Sequence, residues 1–267
     1  MIVEIVLMLL SGVLTGVLSG LFGLGGGVVT VPILFVFFTH LGVPESNIMH
    51  LAIGTSLAAM ITTTFNSIIQ HHRKGNINWG IVRWLFLPTA LGACVGAVIS
   101  KWVDSHSLRY FFIAFLIFMI LMALFKKSFR AEYKIQDFKF PKNNVAKCYF
   151  FIVGSIGVLL GVGGSLFTIP YFRKHHCPMK NASALAVALT PSVSILGALG
   201  YLLIGLKGAP VFSYTIGYIY WPAFLGIALG SLIGVPIGAH LAHKLPDRYQ
   251  IKIYIILLFV FLFMIIY

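Results

Sequence analysis

The chain has 267 residues, of which 59% are hydrophobic and 9% charged, with a mean hydropathy of +0.98 and a formal net charge of +13. Soluble domains carry charge on about a quarter of their residues, and several runs here reach the ~20 apolar residues that span a bilayer, so a soluble globular domain is excluded. Cys94, Cys148 and Cys177 lie in or near apolar runs without Cys-x-x-Cys spacing, which gives neither a disulfide framework nor a zinc site; buried free thiols are expected.

Ten hydrophobic segments follow one another: 2–22, 27–41, 51–70, 80–100 and 108–125, then 148–162, 165–173, 184–206, 213–240 and 250–267. The first carries Glu4, no basic leading stretch and no Ala-x-Ala, so it reads as a retained helix rather than a signal peptide. Before the second, Gly23-Leu24-Gly25-Gly26-Gly27 interrupts the apolar run and Pro32 follows. The third is crowded with Thr55, Ser56, Thr62, Thr63, Thr64, Asn66 and Ser67. The fourth carries Pro88-x-x-x-Gly92-x-x-x-Gly96, a smooth stripe that lets helix backbones approach closely in lipid. Residues 126–147 are the most polar stretch and form the natural joint between two halves.

The second half then repeats the first. Gly161-Val162-Gly163-Gly164-Ser165-Leu166-Phe167-Thr168-Ile169-Pro170 matches Gly23–Pro32 at five of ten positions, 138 residues later. Asn47-x-x-x-Leu51-Ala52 returns as Asn181-x-x-x-Leu185-Ala186, and the proline–glycine stripe returns as Pro222, Gly226 and Gly230, extended by Gly234 and Gly238. Five segments per half make the second copy enter the membrane from the opposite side. The expected fold is an all-α polytopic membrane protein of two inverted repeats, with glycine-broken half-helices meeting near the midplane. Residues 1–126 form the first repeat, 127–146 a cytoplasmic linker and 147–267 the second repeat. Nine apolar residues in 165–173 reach roughly 14 Å, about half the hydrocarbon core, which suggests a re-entrant hairpin.

Sixteen of the nineteen basic residues fall in four regions, 71–83, 126–147, 173–180 and 244–252, leaving Lys101, Arg109 and Lys207. With those four regions cytoplasmic, the positive-inside rule puts both termini outside. A basic surface facing lipid headgroups accounts for the charge without a nucleic-acid partner.

Each glycine break starts a new helix, and a helix N-terminus offers free N–H groups and about half a positive charge. Two such ends facing one another make an anion site without formal charge. The candidate substrate-binding residues are Gly25, Gly26, Gly27 and Thr30 in the first motif, Gly163, Gly164, Ser165 and Thr168 in the second, and Thr55 and Ser56 in the third segment. The other reading of the same glycines, tight turns and close packing alone, stays open at this point. All six acidic residues (Glu4, Glu45, Asp104, Glu132, Asp137, Asp247) lie near segment ends or in loops, which argues against cation transport. Proton coupling would need a histidine such as His50, or a proton carried on the substrate. Asn47 and Asn181 read either as helix caps or as cavity-lining amides.

The two glycine–proline motifs, the Leu51-Ala52-Ile53-Gly54-Thr55-Ser56 run and the Pro-x-x-x-Gly-x-x-x-Gly stripes resemble the TauE/SafE sulfite exporter family over nearly the whole chain. The resemblance implies a two-repeat carrier, an exporter of small sulfur-containing anions such as sulfite or sulfoacetate, in a bacterial-type inner membrane. An anion channel, or a carrier for another small organic anion, are the alternatives. A membrane enzyme is disfavoured because no Ser/His/Asp set, carboxylate pair or His-Glu-x-x-His motif is present. No cofactor, metal or catalytic residue is expected. In the second half, Leu189-Thr190-Pro191 replaces Thr55-Ser56-Leu57, so those two residues are not duplicated.

Overall fold

The structure, a computed structural model, describes residues 2–23, 25–125, 136, 138–206, 212–245 and 247–266. Half of the polar joint at 126–147, with Glu132 and Asp137, lies outside the described residues, as do Leu24 and Lys207.

Among the described residues the helices are α1 (Ile2–Phe22), α2 (Gly27–His40), α3 (Glu45–Arg73), α4 (Trp79–Ile99), α5 (Ser105–Phe125), α6 (Asn144–Leu160), α7 (Ser165–Lys174), α8 (Met179–Gly205), α9 (Trp221–Lys244) and α10 (Asp247–Ile266). The only strands described are β1 (Thr215–Ile216) and β2 (Ile219–Tyr220), an antiparallel hairpin between α8 and α9. Six helices, α1, α3, α4, α5, α8 and α9, are long and apolar enough to cross a membrane. The protein is an all-α polytopic membrane protein.

Local chemistry sets the helix ends. Asn78 accepts from the N–H groups of Gly80 and Ile81 to start α4, and Asn143 accepts from Ala146 to start α6. Pro44 and Pro178 stand immediately before α3 and α8, with φ of −55° and −57°. Both helices therefore begin several residues ahead of the apolar runs at 51 and 184. Hydropathy does not register the polar first turns, Glu45-Ser46-Asn47 and Met179-Lys180-Asn181. The run at 213–240 differs in kind. Its first residues form the hairpin, turned at Gly217 (φ 58°), and the helix starts only at Trp221. Of the cysteines, Cys177 is buried but Cys94 and Cys148 are exposed on the helical surface, which corrects the expectation of buried thiols.

Packing is reciprocal between the halves. Helix α1 lies along α9, and α4 along α6; α3 meets α8 at the centre, with α9 also against α3 and α4 against α8. The glycine stripes make the two outer pairs. A Cβ on Gly230 would run into the Leu9 carbonyl, one on Gly20 into the Val235 carbonyl, and one on Gly92 into the Phe151 carbonyl. Lipid tails are as apolar as side chains, so such helices associate through close van der Waals approach and polar cross-links rather than through water exclusion. Ser155 Oγ donates to the Gly92 carbonyl at 2.8 Å, and Asn66 on α3 and Lys74 just past its end donate to the Leu232 and Ala239 carbonyls of α9 at 3.2 Å each. Exposed Leu87, Leu91, Phe125, Leu229 and Ile256 supply the apolar exterior.

Candidate functional site

The two glycine motifs adopt one backbone shape. Gly23, Gly25 and Gly26 have φ of 68°, 67° and 92°; Gly161, Gly163 and Gly164 have 67°, 68° and 73°. Side chains are strained in this left-handed region and glycine is not, so the repeated glycines are a conformational requirement. Each turn ends in the first residue of a short helix, α2 or α7, and every described residue from Gly25 to Pro32, and from Gly161 to Ser165, is buried, while Phe167 and Pro170 further along α7 are part-buried.

The turns touch. A Cβ on Gly27 would run into the Gly161 carbonyl and sit 2.8 Å from Val162 Cα. Gly25 and Gly163 face the same two side chains, Met60 of α3 and Thr190 of α8. A Cβ on Gly25 would lie 3.2 Å from Met60 Cε and 3.1 Å from Thr190 Cγ2, and one on Gly163 would overlap both. Here α3 and α8 bring together two sequences 138 residues apart.

Hydroxyl groups hold the carbonyl side of each turn. Thr63 Oγ1 donates to the Gly25 carbonyl and Ser56 Oγ to the Gly161 carbonyl, both at 3.1 Å. Thr190 Oγ1 is 3.4 Å from the Gly163 carbonyl and 2.9 Å from that of Ala186. Thr30 and Thr168 donate to the Gly26 and Gly164 carbonyls at 3.0 and 2.9 Å, an identical back-bond in each half. Their hydroxyl protons are thus engaged on the turns themselves. The N–H side is different. Val29 and Thr30 donate to the Gly26 carbonyl, and Phe167 and Thr168 to that of Gly164. The N–H groups of Gly25, Gly26, Gly27 and Val28, and of Gly163 and Gly164, donate to no backbone carbonyl among the described residues.

Of the sequence-nominated residues, Gly25, Gly26, Gly27, Gly163, Gly164, Thr30, Thr168 and Ser165 lie in the two turns, and Ser56 braces the second. Thr55 is directed elsewhere: its Oγ1 accepts from Tyr220 N–H at 3.0 Å, beneath the β1–β2 hairpin. Adjacent residues on a helix point about 100° apart, so Thr55 and Ser56 cannot share a target. Met60, Thr63 and Thr190 join the site through tertiary contact. So does Thr15 of α1. Its methyl would be 2.8 Å from a Cβ on Gly26, it is 1% exposed, and its buried Oγ1 has no hydrogen-bond partner. A lone threonine in an apolar run carries no sequence signal; only its counterpart 138 residues on, Val153, marks it as a departure from the repeat.

An enclosed pair of helix N-termini whose N–H groups reach no backbone carbonyl among the described residues, beside a buried threonine hydroxyl without a partner there, favours negative charge. The separate cavity of about 360 Å³ lined by Thr39, His40, Glu45, Ser105 and Arg109 lies at the far end of α2, roughly 20 Å along that helix from the turn.

Comparison with known proteins fixes the class. The family model described as sulfite exporter TauE/SafE matches residues 8–266. The chain belongs to the TauE/SafE family. This TauE/SafE chain is 30% identical over 242 residues to a probable membrane transporter protein of Haemophilus influenzae, covering 91% of this chain and 90% of that one. It is 30% identical over 249 residues to a probable membrane transporter protein of Methanocaldococcus jannaschii, covering 91% and 88%. No solved structure matches. Family, relatives and spanning helices together make it a multi-pass membrane transporter.

Proposed function

We propose that the protein is a secondary carrier, exporting a small sulfur-containing anion such as sulfite or an organosulfonate, which binds between the two glycine turns. One observation carries the reading: the turns meet with N–H groups that reach no backbone carbonyl among the described residues, and the Thr15 hydroxyl, without a partner there, lies against one of them. The name of the family supports a sulfur oxyanion and outward transport. The burial of both turns supports a carrier that closes over its substrate rather than an open channel. In this reading residues 1–126 and 147–267 are inverted repeats in a bacterial-type inner membrane. Both termini are outside and the 127–146 linker is cytoplasmic, a placement that the distribution of basic residues supports.

The test is binding of sulfite, thiosulfate, sulfoacetate and sulfate to purified protein, followed by counterflow in liposomes. Saturable exchange of at least one of the first three is expected. Unsaturable flux without counterflow would make it a channel. Absence of binding across the panel would remove the sulfur-anion assignment. In intact cells, Asp137→Cys should resist labelling from outside; labelling there would reverse the orientation.

A further inference from the structure

The cavity of about 360 Å³ apart from the glycine turns is built where four helix ends meet: the last residues of α2 and α10 and the first of α3 and α5. Buried Phe35, Ile48 and Met49 give it an apolar wall. Exposed Thr39, His40 and Glu45, with half-buried Arg109, give it a polar one.

Its place in the fold is the level where a bilayer meets water. Two of the spanning helices, α3 and α5, begin here. Trp102 and Tyr110, 72% and 70% exposed, flank the start of α5, and such amphipathic rings collect at membrane–water interfaces. The cavity is also continuous with the lipid-facing surface. Along α10, Ile256, Phe259, Val260, Phe263 and Ile266 are exposed at helical spacing, one outward stripe. Phe263 belongs both to that stripe and to the cavity lining.

The polar wall is divided by charge. On the α5–α10 side, Arg109 is pinned: its Nε and one Nη donate to the Ile265 and Ile266 carbonyls at 3.0 and 2.9 Å, and its guanidinium lies 4.9 Å over the Phe35 ring. That caps the negative end of α10 and uses two of the five guanidinium N–H groups. The rest reach no acceptor among the described residues, and a rigid fork of this kind matches the oxygens of a phosphate. On the α2–α3 side stand acceptors. Glu45 pairs not with Arg109 but with His106, at 3.8 Å. Thr39 Oγ1 donates to the Phe35 carbonyl at 2.9 Å, and His40 Nδ1 bonds the Val36 carbonyl at 2.8 Å. The hydroxyl lone pairs and the far nitrogen of a neutral His40 ring are left to accept.

We propose that this cavity binds a zwitterionic aminophospholipid, with its phosphate on Arg109, its ammonium on Glu45 and its acyl chains along the exposed stripe of α10. A primary ammonium brings three donors to a wall of acceptors. A trimethylated ammonium brings none, and a headgroup of net negative charge would leave Glu45 facing an anion. The site stands apart from the glycine turns, whatever anion they carry.

The full-length protein, delipidated in detergent, is titrated with phosphatidylethanolamine, phosphatidylcholine and phosphatidylglycerol of one chain composition, and bound lipid is counted by native mass spectrometry. One phosphatidylethanolamine should be held about tenfold more tightly than either of the others. E45Q and R109Q should each lower that affinity about tenfold. R109Q also uncaps α10, whereas Glu45 is exposed and E45Q leaves the packing intact. E45K puts a second cation in the cavity and should turn the preference to phosphatidylglycerol, a gain that damage to the fold does not produce. Equal retention of the three lipids by the parent, or an unchanged preference in both E45Q and E45K, would overturn the proposal. So would displacement of the lipid by an equal concentration of water-soluble glycerophosphoethanolamine, because the acyl chains would then contribute nothing.

Discussion

The two glycine turns share a backbone and differ in their walls. Around the first, Gly26 faces Thr15 of α1 and Thr63 of α3, with a Cβ there 2.8 Å from Thr15 Cγ2 and 3.6 Å from Thr63 Oγ1. Around the second, Gly164 faces Val153 of α6, at 2.8 Å from its Cγ1. Threonine and valine have nearly the same shape, so the two positions are equally well packed, but Gly26 has threonine hydroxyl groups of α1 and α3 beside it where Gly164 has only Val153. Ser19 and Ser67, 3.5 Å apart, extend that polar wall one turn along α1 and α3. The helix N-termini are alike in the two turns, while the threonines of α1 and α3 stand beside the first. A ligand held by backbone N–H groups from both turns would then take its side-chain contacts from the first alone.

The strongest test of this asymmetry sets Gly26→Leu against Gly164→Leu. Both introduce a side chain at positive φ, which costs roughly 1–2 kcal/mol in either place, so strain is common to the pair and their difference reports on the ligand. Losing one charge-assisted hydrogen bond costs about 1.5–3 kcal/mol. Anion affinity should fall about a hundredfold in Gly26→Leu and about tenfold in Gly164→Leu, measured by titration on variants that remain monodisperse after extraction. Normal affinity in both folded variants would leave the glycines as packing devices. Equal losses would leave the backbone symmetric and the threonine wall unused.

Exchanging the walls should have smaller effects, and of opposite sign on stability and binding. Thr15→Val removes a buried hydroxyl that has no partner, so the folded protein should gain up to about 1 kcal/mol in thermal unfolding. Anion affinity should fall about tenfold. Thr63→Val is different, because Thr63 donates to the Gly25 carbonyl. Its loss should cost about 1 kcal/mol of stability, with a lesser effect on affinity. A Thr15→Val variant that is stabilised and binds normally would show that the hydroxyl is a tolerated defect rather than a ligand contact.

Much of this arrangement was written in the chain. The doubled Gly-x-Gly-Gly pattern anticipated six matching positive-φ residues, because left-handed backbone is a local property that residue type reports directly. The Gly-x-x-x-Gly stripes anticipated that α4 and α9 each present a closely packed face, because helical spacing converts sequence into a face, but not that their partners are α6 and α1. Contacts between elements were less legible. Thr55 and Ser56 looked equivalent as neighbouring hydroxyls, yet their separation around α3 sends one to the hairpin and the other to Gly161. Thr15 was silent because its importance lies in what α2 places beside it. The hairpin at 215–220 was hidden inside an apolar run, since hydropathy records how well a segment avoids water and not whether its backbone can continue as a helix past Gly217.

The smallest predicted effect concerns a pair that the sequence presents as equivalent. Asn47 and Asn181 occupy matching positions near the starts of α3 and α8, and neither caps its helix, for Pro44 and Pro178 hold those places. Asn181 is a tie between halves: its Nδ2 donates to the Asn76 carbonyl in the α3–α4 connection at 3.1 Å. The Asn47 side chain makes no hydrogen bond among the described residues, and it is only partly buried. Asn181→Ala should therefore lower stability by about 1 kcal/mol, offset in part because its buried Oδ1 already lacks a partner. Asn47→Ala should stay within about 0.5 kcal/mol of the parent. Thermal unfolding in one detergent measures both. If the two substitutions cost the same, Asn181 is no tie, and the connection it reaches is held by other contacts, the Lys74 bond to the Ala239 carbonyl among them.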